Sequence, residues 1–398
     1  MKKCLFFLFL AISTTSFGQN AWFSQKDFDG LPRYNAASFA LDSGCYIGAG
    51  VVGSGTFAND FWKWDWQSNT WSQKANIPGA GRYGAAGFNI GNKGYVAMGH
   101  NGTSMLNDLQ EYDPLTNTWT AKANFPGTAR YTAAAFSIGT KAYICCGSPG
   151  APPYLKDCWE YNQLTNSWSQ KADVGSTSRN HPAYFVVNGK GYVATGNDDS
   201  YGFQNDVWMY DPALNSWIQK SNYPGNPLHA SVGFSINGSG FMGTGKIGDS
   251  GPVFTNEFYE YFPSTDSWVS RAPYPGVLSA ATVGFSHDGK GYIGCGVYTN
   301  GTYSNEFWEY RPITYGIEEL KVDFNIYPNP NNGSFAIRNL KEGYSITMFD
   351  LSGKEIPVTC KASGGDYIVN INNNVDAGCY LLSLRKEDKS FIKKIIIQ

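Results

Sequence analysis

The segment DLQEYDPLTNTW, Asp108 to Trp119, is one of five complete copies of a repeating pattern, and the closing Trp of the pattern occurs a sixth time near the N-terminus. Each copy has an alternating strand that ends in an aromatic residue, then a short polar turn, then a Trp that belongs to the next strand. The closing tryptophans are Trp22, Trp71, Trp119, Trp168, Trp217 and Trp268. A period of about 50 residues is typical of the blades of a β-propeller.

Two further strands precede this segment and complete the repeating unit. The run RYGAAGF, Arg82 to Phe88, predicts strand a, whose small residues suit the crowded axis of a propeller. A turn at Gly91-Asn92 leads into strand b, Gly94 to Gly99, and the opening segment supplies strands c and d. The glycine that ends strand b recurs as Gly50, Gly99, Gly147, Gly196, Gly245 and Gly296.

The two ends of the repeat predict how the ring closes. The last copy has strands a to c, up to Tyr310, but no Trp follows it. The segment AWFSQK, Ala21 to Lys26, matches the d strands that contain Trp71 and Trp168. We therefore predict an all-β fold with six blades, the sixth completed by the N-terminal strand, which leaves no long exposed sheet edge.

The blade pattern resembles a known family. The Tyr-hydrophobic-x-x-Gly strand, the Asn-Asp before a Trp-x-Tyr-Asp-Pro strand and the Trp that follows resemble kelch repeats, as in galactose-oxidase-like and kelch sugar-epimerase propellers. The resemblance covers about residues 20 to 312 and implies a six-bladed kelch β-propeller. The double glycine of the family is usually reduced here to Gly-x-Gly or x-x-Gly, as in Gly243-Thr244-Gly245 and Ala97-Met98-Gly99.

The N-terminus carries a predicted export signal. Residues 1–18 have a basic start, Lys2-Lys3, then an apolar run from Leu5 to Ile12 and small residues before Gln19. This pattern indicates a signal peptide that is cleaved on secretion. No other apolar stretch approaches the roughly 20 residues that a membrane span needs, so we expect no membrane span.

From about Val322 the Trp period stops, and short alternating strands with glycine turns predict a small immunoglobulin-like β-sandwich. Five elements in order resemble the C-terminal sorting domain of the type IX secretion system: Tyr327-Pro328-Asn329-Pro330, Gly333-Ser334-Phe335, the turn from Phe349 to Lys354, Gly378 to Leu382, and Lys393 to Ile397. The resemblance implies that the type IX secretion machinery is a partner of this protein. It also implies that the protein is secreted, or is held on the outer-membrane surface of a Gram-negative bacterium. An ordinary accessory domain is the alternative.

These signals divide the chain into a signal peptide at 1–18, a propeller at 19–312, a linker at 313–322 and a sorting domain at 323–398. The net charge of −2 and pI near 6.1 argue against nucleic acid as a partner. In the predicted b strands, cysteines are interpreted as small buried hydrophobes: Cys45, Cys145, Cys146 and Cys295. Whether Cys360 pairs with Cys379 stays open.

A binding site is predicted on one face of the propeller. We call the face with the b to c loops and the d to a linkers the loop-rich face, and the face with the a to b and c to d turns the turn face. The b to c loops vary most, which favours function there. Their candidate binding residues are Tyr154, Asp198, Asp199, Tyr201, Tyr298 and Tyr303.

Four arginines at the start of strand a allow two interpretations. Arg33, Arg82, Arg130 and Arg179 occur in blades one to four, but Leu228 and Ser279 replace them in blades five and six. As ligands, the arginines would form a basic arc around the channel mouth. Strand c, however, starts with Asp in the four arginine-bearing blades and with Glu in the other two, a parallel that predicts Arg–Asp pairs within each blade.

The sequence predicts no catalytic residues, metal ligands or cofactor. Its four histidines are His100, His181, His229 and His287, and strict alternation along strand a predicts that His181 and His229 point to opposite sides. We interpret the chain as a secreted or surface binding protein for a glycan or a protein. A carbohydrate-active enzyme, such as a kelch-type epimerase or mutarotase that uses an Arg of the arc with a loop carboxylate, is the alternative, and a purely structural surface component is a third.

Overall fold

The computed structural model describes residues 20–53, 55–200, 202–248, 253–312, 325–340, 343–350, 354–363, 366–371, 375–386 and 389–398. The predicted signal peptide and the predicted linker lie outside these residues. The chain divides into two compact units, Met1–Ile313 and Thr314–Gln398. Within the described ranges, no helix is long and apolar enough to cross a membrane.

The first unit contains six four-stranded antiparallel sheets, each in the order a-b-c-d, as predicted. Strands a to d of blade one are Ala37–Leu41, Gly44–Gly48, Phe61–Asp65 and Thr70–Lys74, and those of blade two are Ala86–Ile90, Lys93–Ala97, Leu109–Asp113 and Thr118–Ala121. Blade three has Ala134–Ile138, Lys141–Cys145, Cys158–Asn162 and Ser167–Lys171, and blade four has Ala183–Val187, Lys190–Ala194, Val207–Asp211 and Ser216–Lys220. Blade five has Val232–Ile236, Ser239–Gly243, Phe258–Phe262 and Ser267–Ser270. Blade six has Val283–His287, Lys290–Gly294 and Phe307–Arg311, with Ala21–Ser24 as strand d.

Short strands on the loop-rich face pair the residues that precede strand a with the b to c loop, or pair two parts of one b to c loop. They are Arg33–Tyr34, Val51–Val52, Thr56–Phe57, Asn197–Asp198, Gly202–Phe203, Leu228–His229, Lys246–Ile247, Ser279–Ala280 and Val297–Tyr298. Strand a therefore begins later than predicted. In blade two it begins at Ala86 rather than at Arg82, because the backbone at Gly84 has a positive φ and interrupts the strand.

The N-terminal strand completes blade six, as predicted. Trp22 pairs with Tyr310 and Ser24 pairs with Trp308 in an antiparallel register. The Trp22 indole donates a hydrogen bond to the Ala272 carbonyl of blade five at 3.0 Å. The same bond, from the strand d Trp to the end of strand d in the preceding blade, recurs around the ring at 2.8 to 3.1 Å, from Trp71, Trp119, Trp168, Trp217 and Trp268.

Six residues, one from each blade, form a ring of backbone hydrogen bonds around the axis. Each lies two positions after the arginine, or after the residue that replaces the arginine in blades five and six. Each member donates its N–H to the carbonyl of the corresponding residue in the preceding blade, at 2.7 to 3.2 Å. The six members all have φ between 47° and 62°, and they are Asn35, Gly84, Thr132, His181, Ala230 and Ala281. We call them the axial ring. Five of them are not glycine, although left-handed backbone is costly for residues that carry a Cβ.

Close packing between neighbouring blades explains the glycine that is second in most b strands. A Cβ on Gly94 would lie 2.0 Å from the ring of Phe39 in the preceding blade. The same approach, at 2.1 to 2.3 Å, occurs at Gly191, Gly240 and Gly291. These contacts join each strand a Phe to the next blade, so the apolar core extends from one blade to the next around the axis.

The second unit contains two four-stranded antiparallel sheets, and therefore eight described strands rather than about seven. One sheet has Asn325–Tyr327, Ser334–Arg338, Asp366–Ile371 and Val358–Ser363, and the other has Glu355–Ile356, Ser345–Phe349, Gly378–Lys386 and Lys389–Ile397. Phe335 and Ile337 of the first sheet share a buried core with Leu382, Leu384 and Ile395 of the second. This arrangement is the predicted β-sandwich.

The structure differs from the sequence prediction at one cysteine, and it answers the question left open for two others. Cys145 is not a free buried thiol, because it forms a disulfide with Cys158, its partner on the adjacent strand c of blade three. Cys360 and Cys379 are both free. They lie in different sheets of the sandwich, where they pair with Val369 and Ile396 respectively.

Candidate functional site

The four strand a arginines are used inside the blades. Each guanidinium donates two hydrogen bonds to the Asp immediately before strand c, and a third to the carbonyl of the residue before the repeated glycine that follows strand b. In blade three, Arg130 lies 2.6 and 2.8 Å from the two carboxylate oxygens of Asp157 and 2.9 Å from the Cys146 oxygen. All four arginines are buried. The Arg–Asp pairs predicted from the parallel strand starts are therefore present, in Arg33–Asp60, Arg82–Asp108, Arg130–Asp157 and Arg179–Asp206.

The charges of these pairs stabilise each other. Burial raises the pKa of Asp157, but the hydrogen bonds and charge of Arg130 outweigh burial and hold this pKa below its ordinary value. The pKa values of Asp60 and Asp206 are lowered by the same balance, with Arg33 and Arg179 as the partners. A buried guanidinium with a bidentate carboxylate partner has little capacity left for an external ligand.

In blades five and six, other side chains take the place of the arginine that is present in blades one to four. Where the first four blades have Phe28, Ile77, Phe125 and Val174 five residues before the arginine, blades five and six have Tyr223 and Tyr274. The carboxylate of Glu306 accepts a hydrogen bond from the Val277 amide at 3.1 Å. In blade five, the Tyr223 hydroxyl and one Glu257 oxygen are buried without a hydrogen-bond partner among the described residues.

Aromatic rings gather around the channel mouth on the loop-rich face. The residue after each arginine position is Tyr34, Tyr83 or Tyr131 in the first three blades, and Asn180 and His229 follow in blades four and five. The Tyr83 ring lies 5.4 Å from that of Tyr131, and the Tyr34 ring lies 4.9 Å from that of Tyr303. Because these rings are only partly buried, they form an accessible aromatic rim.

The centre of this rim contains two histidines that the sequence analysis placed apart. The His181 and His229 rings are 4.6 Å apart, so the alternation argument was wrong. Its physical reason is the positive φ of His181, which breaks the alternation of an extended strand. The His181 Nε2 lies 3.2 Å from the Asn35 Oδ1 on the opposite side of the ring, and the His229 Nε2 lies 3.1 Å from the Asn180 Oδ1.

Both histidines are neutral near pH 7. Burial, and then the nearby His229, hold the pKa of His181 well below its ordinary value. Burial, and then the charge of Lys246, lower the pKa of His229 to about 4. The His181 Nδ1 is buried and has no hydrogen-bond partner among the described residues. We call His181, His229, Asn35 and Asn180, with Tyr34, Tyr83, Tyr131 and Tyr303, the mouth cluster.

The predicted loop residues are only partly brought together. The Tyr303 ring contacts the Tyr34 ring in a tilted arrangement and so joins the mouth cluster. The Tyr298 hydroxyl instead donates a hydrogen bond to Ser304 Oγ at 2.8 Å. The Tyr154 amide donates to the Asp199 carboxylate of the next blade. Asp198 is buried and accepts hydrogen bonds from Ser178 Oγ and the Ser200 amide, which is a turn-forming arrangement. Tyr201 lies outside the described residues.

Two cavities border the mouth cluster on the loop-rich face. One, of about 350 Å³, is lined by Tyr303 and by linker and loop residues of blades one and six. The other, of about 430 Å³, is lined by Phe203, whose ring stacks on His229 at 5.2 Å, and by Ser176 and Thr177. Among the described residues, no three His, Cys, Asp or Glu side chains converge as metal ligands would.

Comparisons with known proteins bear on the two units separately. Residues 325–398 match the family described as "Secretion system C-terminal sorting domain". A solved structure titled "Structure of YjhT" is similar to this chain with a TM-score of 0.61 and 16% sequence identity, covering 71% of this chain and 96% of that chain. A comparison with curated proteins finds no match.

The fold and the tail together define an all-β propeller protein that carries a sorting domain. The tail match agrees with the resemblance to the type IX sorting domain in the sequence, so the chain is a secreted or cell-surface protein exported with the type IX secretion machinery. At 16% identity, the solved structure supports the propeller fold alone.

Proposed function

We propose that this protein binds a glycan or a protein at the cell surface through the loop-rich face of its propeller, and that the mouth cluster is the centre of the site. The proposal is carried by the convergence of partly exposed tyrosines with neutral imidazole and amide groups at one end of the axis. Aromatic faces with a few fixed polar groups are the usual composition of ligand sites.

The arginines contribute to this site indirectly. Because Arg33, Arg82, Arg130 and Arg179 are paired with Asp inside the blades, their role in binding is to hold the strand a starts from which the mouth cluster projects. Direct contacts with the ligand are assigned to the tyrosines, His181, His229 and the loop residues Tyr154, Asp199 and Tyr298. Asp198 supports the loop that carries Asp199.

We further infer that the blades are kelch repeats, and that export begins with cleavage of the N-terminal signal peptide before Gln19. The type IX sorting domain then directs passage across the outer membrane of a Gram-negative bacterium. These inferences rest on the basic and apolar pattern of residues 1–18 and on the blade motifs. Mass spectrometry of the N-terminal peptide of the secreted protein tests the cleavage site, for which we expect a peptide that begins at Gln19, as glutamine or as pyroglutamate.

A glycan array and a surface-protein pull-down test the binding proposal. The secreted full-length protein is compared with Tyr131→Ala and Tyr303→Ala, and with Leu115→Ala as a control at an exposed c to d turn on the turn face. We expect both tyrosine variants to lose at least tenfold in affinity, and Leu115→Ala to retain the affinity of the parent. Full binding by both tyrosine variants would contradict the proposal.

The enzyme alternative requires an Arg and a carboxylate that face a ligand unpaired. In the part of the chain that the structure describes, the strand a arginines are buried and paired. This observation favours binding over catalysis.

A further inference from the structure

A cavity in the central channel of the propeller opens on the turn face. Its volume is about 580 Å³, within the range of small-molecule sites. Its rim is formed by the a to b turns, including Asp42, Asn237 and Asp288. This channel cavity is therefore at the opposite end of the axis from the mouth cluster.

The channel cavity is separated from the loop-rich face. None of the axial ring residues lines it; the lining starts three residues further along the chain, at Ser38 in blade one. Across the axial ring, the His181 side chain reaches the Asn35 side chain of the opposite blade. The cavity is therefore a pocket entered from the turn face rather than part of an open pore.

The channel cavity is lined by the six strand a phenylalanines and by other residues that are mostly small or polar, with one exception at its inner end. Hydroxyl groups come from Ser38, Ser137, Ser235 and Ser286. The Ser137 Oγ is buried without a hydrogen-bond partner among the described residues. The exception is Tyr184, whose position in the other five blades holds Ser38, Gly87, Ala135, Gly233 and Gly284.

Tyr184 is the only large side chain at its level of the channel wall. Its burial raises the pKa of the phenol to about 12, so it is a neutral donor at any physiological pH. A repeat protein that keeps a small residue at five of six equivalent positions leaves room at the axis. The single tyrosine makes the pocket asymmetric, as recognition of an asymmetric small molecule requires.

The formally charged residues that line the pocket are acidic. Asp42 and Asp288 lie at its rim, and no Lys or Arg lines it. His287, which stacks on Trp66 at 3.4 Å, has a pKa lowered by burial and further by Lys290, although Asp288 and Asp42 oppose this shift. The pocket therefore repels anions.

We propose that the channel cavity is a second binding site, separate from the mouth cluster, for a small hydroxylated ligand that is neutral or cationic. The serine hydroxyls and Tyr184 would hydrogen-bond the ligand's hydroxyl groups, and Asp42 and Asp288 would select against acidic ligands. A neutral hexose and an amino sugar fit this chemistry, and a uronic acid does not.

The test is a calorimetric titration of the secreted full-length protein with glucose, glucosamine and glucuronate as probes. We expect saturable binding of glucose or glucosamine, and at least tenfold weaker binding of glucuronate. Tyr184→Phe and Ser137→Ala should each weaken binding about two- to tenfold, the range for one lost hydrogen bond. The double variant Asp42→Asn with Asp288→Asn should reduce the difference in affinity between glucose and glucuronate.

Two results would overturn the proposal. One is the absence of saturable binding for all three probes, which would make the channel a water-filled void. The other is binding that Tyr303→Ala abolishes while Tyr184→Phe and Ser137→Ala leave it intact, because the ligand would then occupy the mouth cluster. Failure of the proposed function would instead appear as unchanged glycan or protein binding in Tyr303→Ala, so the two failures are distinguishable.

Discussion

The amide of Asn35 in blade one donates a hydrogen bond to the carbonyl of Ala281 in blade six at 3.1 Å. This bond has the same form as those that join every other pair of neighbouring blades in the axial ring. Blades one and six are therefore joined at the axis as tightly as blades that are consecutive in sequence. At the periphery, Trp22 and its indole hydrogen bond to Ala272 join blade six to blade five.

Because the N-terminal strand closes the ring in this way, we expect Trp22 to contribute as much to the free energy of unfolding as the strand d tryptophans of the other blades. Trp22→Ala should lower the free energy of unfolding by about 3 to 5 kcal/mol, because it removes ring contacts with Phe258, Tyr274 and Tyr310 as well as the indole bond. Urea unfolding followed by tryptophan fluorescence measures the change. Trp119→Ala should show a similar loss and the exposed Ser24→Ala almost none. A Trp22→Ala protein as stable as the parent would mean that the N-terminal strand does not stabilise the ring.

The two kinds of blade predict a rescue experiment. Arg130→Leu leaves Asp157 partly buried without its cation and should cost about 3 to 5 kcal/mol. Blade five holds Leu228, Glu257 and Tyr223 at the equivalent positions. Adding Asp157→Glu and Phe125→Tyr to Arg130→Leu gives blade three the same set, and we expect recovery of at least half of the loss in chemical denaturation.

The control for this rescue is Asp157→Glu with Phe125→Tyr in the presence of Arg130. Because the longer Glu would then compete with the guanidinium for one space, as the similar positions of Arg33 Nη2 beside Gly30 and Glu257 Oε2 beside Gly225 indicate, we expect this double variant to be destabilised. If the triple variant is no more stable than Arg130→Leu alone, the Leu, Glu and Tyr of blade five cannot replace the Arg, Asp and Phe of blade three.

The strand a Phe of one blade packs against the second residue of strand b in the next blade. This contact predicts that substitutions at two equivalent positions, Gly191 and Ala142, change stability by different amounts. Gly191→Ala would place a methyl group 2.2 Å from the Phe136 ring, and overpacking of this kind costs about 1 to 3 kcal/mol. Blade three already has Ala142 at this position. Ala142→Gly should therefore cost about 1 kcal/mol or less. Thermal unfolding of both variants checks this, and a stabilised Gly191→Ala would contradict the close-packing argument.

Much of this architecture was predictable because the repeats carry their own internal comparison. Arg130 and Asp157 could be paired from sequence, since the blades that lack the arginine also replace the aspartate with glutamate. The closing strand was found because the segment at Trp22 matches other d strands while the last blade lacks one. In both cases, one copy of the pattern shows what another requires.

The mouth cluster was not predictable in the same way. Its histidines meet because His181 has left-handed backbone, and the sequence marks such backbone with glycine in only one of the six axial ring positions, Gly84. The inter-blade hydrogen bonds stabilise that conformation at residues such as Thr132 and Ala230. A conformation fixed by neighbouring blades rather than by local residue preference leaves no local signal in the sequence.

The depressed pKa of His229 predicts a loss of stability in mild acid. An unfolded histidine has a pKa near 6.5, whereas that of His229 in the folded protein is about 4. Below about pH 6.5 the unfolded chain binds a proton that the folded protein does not, so the contribution of His229 to stability is complete above this pH and is lost as the pH falls towards 4. Between pH 6.5 and 5 the loss from this residue is at most about 2 kcal/mol. His181, whose pKa is also lowered, adds to it in the same direction.

Urea unfolding at a series of pH values from 7.5 to 5 measures this dependence. His229→Gln keeps a donor for Asn180 but cannot take up the proton, so its stability should fall less steeply with decreasing pH than that of the parent, and His181→Gln with His229→Gln should be flatter still. Asp60, Asp157 and Asp206 do not confuse the result, because their arginine partners hold their pKa values below the ordinary value, so these carboxylates titrate at lower pH. Parallel curves for the parent and both variants would show that the histidines of the mouth cluster are not held neutral by burial, and would remove the basis for describing their imidazoles as neutral groups of the site.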